Sequence, residues 1–200
     1  MKLLVGNSAQ DFTAKAIMPD NKIEFEFNFK NYVKNYKSIL FFYPLDFTFV
    51  CPSEIIALNN RLSEFTERKT KVILVSVDSH FSHLAWKDIP TSKGGIGNIQ
   101  IPMVSDINKT ISTMYNVLNH DGISLRSTFL IDATFMIRHM SINDAPLGRN
   151  IDETLRMIDA LDHHMSYGEV CPAGWQKGQE AINPSQEGIA NYLASNAEKL

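Results

Sequence analysis

The sequence predicts an α/β fold: a mixed central sheet flanked by helices, with an extended C-terminal tail. Three observations carry that reading. Short apolar runs alternate with segments of helical spacing as far as residue 165. The last two runs, Leu125–Asp132 and Phe135–Ile142, are joined by a connection short enough for a hairpin, so the sheet is not purely parallel. After Gly168 the composition turns to Gly168, Pro172, Gly174, Gly178, Pro184 and Gly188, which suits a segment laid over a surface rather than a second core.

The elements follow in order. Ile23, Phe25, Phe27 and Phe29 alternate with polar residues and predict a strand with one buried face. Ser38–Tyr43 is a continuous run rich in apolar and aromatic side chains, and Lys71–Asp78 reads alike; both predict strands covered on both faces. Ile55, Leu58, Leu62 and Phe65 recur at helical spacing after Pro52. His80–Ile89, Asn108–Tyr115 and Asp152–Met165 predict further helices, with Asp152 and Glu153 suited to a helix N-terminus. Asn191–Glu198 predicts one short terminal helix. The expected division is a domain over residues 1–165 and a tail over 166–200.

The chain has 200 residues, a formal charge of −3, 44% hydrophobic and 20% charged residues, and two cysteines. Such a length buries a core without disulfide staples. The slight acidic balance argues against nucleic acid or an anionic membrane as the main partner. Two cysteines without a CxxC pair exclude a disulfide framework and a four-sulfur zinc site. No secretory leader or membrane-spanning run is visible. The expectation is a reducing intracellular compartment: cytoplasmic, or the mitochondrial matrix if a presequence was removed.

The chemistry concentrates where the buried strand Ser38–Tyr43 ends, in Pro44-Leu45-Asp46-Phe47-Thr48-Phe49-Val50-Cys51-Pro52-Ser53-Glu54. Proline is favoured in the first helical turn, where its missing N–H has no partner to lose. That puts Cys51 at or next to a helix N-terminus, where unpaired N–H groups and the helix dipole favour a thiolate. Active sites of α/β folds also lie beyond the carboxyl ends of strands. The alternative is an inert cysteine packed beside Phe49 and Val50; the proline, Thr48 and the strand end weigh against it. Cys171, in Val170-Cys171-Pro172, is either a surface thiol of the tail or a second thiol that attacks an oxidised Cys51, and spacing does not choose.

Residues 44–54 resemble the peroxidatic motif of the typical two-cysteine peroxiredoxins. His83-Leu84-Ala85-Trp86, Gly94-Gly95-Ile96-Gly97, Leu125-Arg126, Leu147-Gly148-Arg149 and Glu169-Val170-Cys171-Pro172-Ala173-Gly174-Trp175 resemble further family segments in the same order. The resemblance runs from about Phe12 to Tyr192. It implies a thioredoxin-like fold and a thiol-dependent peroxidase acting on hydrogen peroxide and organic hydroperoxides. Cys51 would be the peroxidatic nucleophile, Thr48 would hydrogen-bond the thiolate or peroxide, and Pro44 would shield the pocket. Arg126 would sit over the thiolate, with Glu54 and Arg149 holding it in place. Cys171 would be the resolving cysteine, supplied by the partner of a homodimer and forming an intersubunit disulfide that thioredoxin or a similar dithiol protein reduces. Five such dimers would form a decamer. No metal or organic cofactor is implied, because sulfur carries the two electrons. A holdase chaperone or peroxide-sensing relay is the alternative role.

Two departures stand out. The family's usual terminal Tyr-Phe pair is Tyr192-Leu193 here, which bears on sensitivity to over-oxidation. The hairpin Asp132-Ala133-Thr134-Phe135 lacks the glycine often found there. The glycine-rich stretch at 94–97 lacks the Lys-Ser/Thr of a phosphate loop. His80, His83, His163 and His164 offer no third metal ligand at a recognisable spacing and read as solvated or core-edge histidines.

Overall fold

The computed structural model describes residues 4–200. They fall into two compact units, the first ending at Ile151 and the second spanning Asp152–Leu200.

The first unit is built on one seven-stranded sheet. Its strands are β1 (Thr13–Ile17), β2 (Ile23–Asn28), β3 (Lys37–Phe42), β4 (Thr70–Ser76), β5 (Met103–Ser105), β6 (Arg126–Ile131) and β7 (Ile137–Asn143), in the order β2-β1-β5-β4-β3-β6-β7. β3, β4 and β5 run parallel; β6 runs antiparallel to β3, and β7 to β6. Helices α1 (Phe29–Tyr32), α2 (Cys51–Asn60), α3 (Leu62–Glu67), α4 (His80–Lys87) and α5 (Thr110–Met114) fill the connections.

The central strands are buried on both faces, as continuous apolar runs require. Strand alternation sends Leu40, Phe42, Ile73, Val75, Phe129 and Ile131 into one core with Phe12, Phe29 and Tyr115. Ile39 and Phe41 point the other way. The register sets Phe41 opposite Thr128, so Arg126, two residues earlier on β6, shares their face. Because β6 is antiparallel to β3, its first residue lies beside the carboxyl end of β3.

Several expectations are refined. The segment 23–29 is not one half-buried strand: Phe25 is 57% exposed because β2 is the sheet edge, and Phe29 already starts α1, which Asn28 caps. The expected helix after Pro52 breaks at Arg61 (φ −109°, ψ 14°) into α2 and α3. β1 and the three-residue β5 carry too few strand formers to announce themselves. In the hairpin without glycine, Phe135 itself adopts the left-handed conformation (φ 70°). The Asp132 carboxylate secures that turn by accepting from the backbone N–H groups of Thr134 and Met136. Gly95 is required for another reason: a Cβ there would stand 2.0 Å from the Ile89 carbonyl oxygen.

The second unit holds most of α6 (Ile151–Tyr167), a bridge between Val170 and Ile182, and α7 (Gln186–Asn196), whose first turn is capped by the Ser185 hydroxyl. Asp152 and Glu153 occupy the first turn of α6. Among the described residues no helix is long and apolar enough to cross a membrane.

Candidate active site

The loop between β3 and α2 is anchored from below. Tyr43, the buried residue that directly follows β3, donates its hydroxyl to Asp46 Oδ1 at 2.7 Å. His83 of α4 directs Nδ1 at Asp46 Oδ2 at 2.8 Å, and both side chains are fully buried. The backbone N–H of Asp46 donates to Asp78 Oδ2 at 2.9 Å. Burial, and then the Asp46 charge, push the Asp78 carboxyl above its ordinary range. Phe47 next takes a left-handed conformation (φ 56°), at a cost of about 1–2 kcal/mol for a side-chain-bearing residue. The anchors at Asp46 offset that cost and turn the chain toward Thr48.

Cys51 is the first residue of α2, with Pro52 in its first turn, and it is fully buried. The helix start has no side-chain cap. Arg126, on the sheet face shared with Phe41, directs Nη1 at Cys51 Sγ from 3.3 Å. The same nitrogen donates to Glu54 Oε2 at 2.8 Å, and Nε donates to the Ala145 carbonyl at 2.6 Å. Glu54 lies three residues beyond Cys51, on the same side of α2. Its carboxylate also accepts from Arg149: Nε at 2.9 Å and backbone N at 2.8 Å on Oε1, and Nη2 at 3.0 Å on Oε2. Arg149 further donates to the Ser127 carbonyl and covers the Phe41 ring at 3.2 Å from its centroid.

These groups form one buried unit. Burial pushes the Glu54 carboxyl up, but Arg149 and then Arg126 outweigh it and hold it below its ordinary value. Burial draws Arg149 down to about 10, with Glu54 opposing. Two cations share one carboxylate, so the cluster keeps positive charge, and part of it faces sulfur. A guanidinium N–H fixed this way stabilises charge on a nucleophile without reorganising during reaction.

Cys51, Glu54, Arg126 and Arg149 therefore converge. Pro44 is buried directly after Tyr43. The Thr48 hydroxyl donates to the Leu45 carbonyl at 2.8 Å, which leaves its oxygen able to accept from an approaching O–H. Both cysteines are free thiols, and Cys171 lies in the second unit. Sequence reasoning missed Tyr43, Asp46, Asp78 and the role of His83. His83 is no solvated or core-edge residue; it is a core histidine tied to the loop.

Two family models match the chain: "AhpC/TSA family" over residues 5–140, and "C-terminal domain of 1-Cys peroxiredoxin" over residues 160–195. The chain belongs to the AhpC/TSA family of peroxiredoxins. Alkyl hydroperoxide reductase C of Helicobacter pylori is 51% identical over 199 residues, covering 99% of this chain and 100% of the relative. The reduced 2-Cys peroxiredoxin of Plasmodium vivax is 50% identical with a TM-score of 0.94, covering 96% of this chain and 100% of that one. The mitochondrial 2-Cys peroxiredoxin of Plasmodium falciparum is 45% identical with a TM-score of 0.80, covering 84% and 100%. This peroxiredoxin is thus a thiol-dependent peroxidase on a thioredoxin-like fold, as the sequence resemblance implied.

Proposed function

We propose that Cys51 is the nucleophile that attacks the peroxide. Its thiolate forms an S–O bond as the O–O bond breaks; the leaving oxygen takes a proton and departs as water or an alcohol, and Cys51 becomes a sulfenic acid. Arg126 stabilises the thiolate and the charge that develops on the oxygens, and Glu54 and Arg149 hold Arg126 in place. Thr48 accepts a hydrogen bond from the peroxide, and Pro44 shields the sulfur. The single observation that carries this reading is Arg126 Nη1 at 3.3 Å from a fully buried Cys51 Sγ at a helix start.

In the same reading Cys171 resolves the sulfenic acid across a homodimer, and thioredoxin or a similar dithiol protein reduces the disulfide. Residues 1–165 then carry the peroxidatic site and residues 166–200 the resolving thiol. Phe49, 96% exposed, with the exposed Phe47 and Phe81, supports a surface that a second copy covers, as in a decamer of five dimers. Two free thiols in working form suit a reducing compartment, cytoplasmic or mitochondrial.

The experiment is a pair of substitutions. Cys51→Ser abolishes peroxidase turnover. Cys171→Ser still consumes about one peroxide equivalent but fails to turn over with thioredoxin. Normal turnover by Cys51→Ser would overturn the assignment.

A further inference from the structure

Within the second unit, the segment Glu169–Trp175 is pinned to one face of α6. Arg156, Ala160, His163 and His164 recur at i, i+4, i+7 and i+8 on that helix. His163 Nε2 lies 2.8 Å from Glu169 Oε2, and His164 Nδ1 lies 2.8 Å from the Glu169 carbonyl oxygen. Each ring nitrogen faces an acceptor, so each carries the proton and donates. Two residues on, the Cys171 thiol donates to the Ala160 carbonyl at 3.5 Å. Arg156 Nη1 closes the far end on the Trp175 carbonyl at 2.9 Å. The His163 ring also packs against Tyr167 and Trp175, with centroids 4.8 and 4.9 Å away. Burial and then Glu169 push the Cys171 thiol up, while Arg156 opposes them.

We propose that His163 and His164, acting through Glu169, form a latch that sets the rate at which Cys171 leaves α6 to resolve the sulfenic acid. The proposal rests on the reading of Cys171 as the resolving thiol. Resolution joins Cys51–SOH and the Cys171 thiol: an S–S bond forms, the S–O bond breaks, and the hydroxyl leaves with the thiol proton as water. A disulfide needs its sulfurs about 2.05 Å apart, so a thiol hydrogen-bonded to its own helix must first be released. A second peroxide competes for the waiting sulfenic acid and oxidises it to sulfinic acid. The latch therefore sets the division between disulfide and over-oxidation. His163, His164 and Glu169 are positioning residues.

The test follows the full-length chain by rapid quench and mass spectrometry after hydrogen peroxide addition. His163→Phe keeps a ring between Tyr167 and Trp175 but loses the donor. Disulfide formation should become roughly three- to tenfold faster and the over-oxidised fraction should fall in step, the scale expected for one charge-assisted hydrogen bond at a partly exposed site. The rate of Cys51 oxidation should be unchanged. Glu169→Gln, which keeps an acceptor for the ring N–H, should lie between the two. A disulfide rate in His163→Phe equal to or slower than wild type overturns the latch. Absence of a Cys51–Cys171 disulfide in the wild type overturns the reading of Cys171, and the latch with it.

Discussion

Arg126 points Nη1 at the sulfur of Cys51 from 3.3 Å, although the two residues are 75 positions apart in sequence. The approach is set by the sheet: β6 enters antiparallel beside the end of β3, so its first side chain meets the first turn of α2. Arg126→Ala should slow the second-order reaction with peroxide by about 10²–10³-fold, the usual effect of removing one preorganised donor. Arg126→Lys should recover only part of it, because a lysine cannot span Cys51, Glu54 and the Ala145 carbonyl at once. Stopped-flow measurement of Cys51 oxidation checks both.

Glu54 is the shared counter-ion of two buried arginines. Glu54→Ala leaves both unpaired and should destabilise the fold by about 3–5 kcal/mol, read by chemical denaturation. The pH dependence follows from the lowered carboxyl. A group whose folded pKa lies below its unfolded value stabilises the fold above that unfolded value, ordinarily 4.5 here, and the contribution is lost as pH falls through the folded pKa. The stability gap between wild type and Glu54→Gln should hold near neutrality and narrow below about pH 4.5.

Lys87 gives a slope of the same sign, but on the alkaline side. It is buried at the end of α4, donates to the Met18 carbonyl at 3.1 Å, and burial lowers it to about 8 from 10.5. Between those values the unfolded chain keeps a proton that the folded chain has released, so stability from this group rises with pH. Urea unfolding from pH 7 to 10 should show that rise in wild type, and Lys87→Met should lack it.

The buried His83–Asp46 pair supports the loop before Cys51. His83→Leu should strip a buried Asp46 oxygen of its 2.8 Å ring-nitrogen partner and cost about 1–3 kcal/mol. Peroxide oxidation of Cys51 should slow as well, because Asp46 anchors the turn that delivers Thr48. A variant that unfolds earlier yet reacts at the wild-type rate would confine His83 to stability.

Much of this was legible in the chain. The strand end, Pro52 and Cys51 mark a thiol at a helix start by local rules alone. Arg126, Glu54 and Arg149 came from the family resemblance, since no local rule joins positions so far apart. The Asp46–His83 pair escaped for the same reason: its 37-residue separation is closed only by the βαβ crossover. β2 misled because alternation reports a face but not whether anything covers it, and Phe25 is on an uncovered edge. Phe135 shows the reverse, a left-handed turn secured by Asp132 where sequence habit expects glycine.

The most direct measurement is non-reducing electrophoresis of the 22.6 kDa chain after one equivalent of hydrogen peroxide, with mass spectrometry of the dimer band. The account predicts a dimer joined by Cys51–Cys171, lost in both Cys51→Ser and Cys171→Ser. A monomer carrying an internal Cys51–Cys171 disulfide would contradict the intersubunit mechanism. A dimer that survives in Cys51→Ser would contradict the role of Cys51 itself.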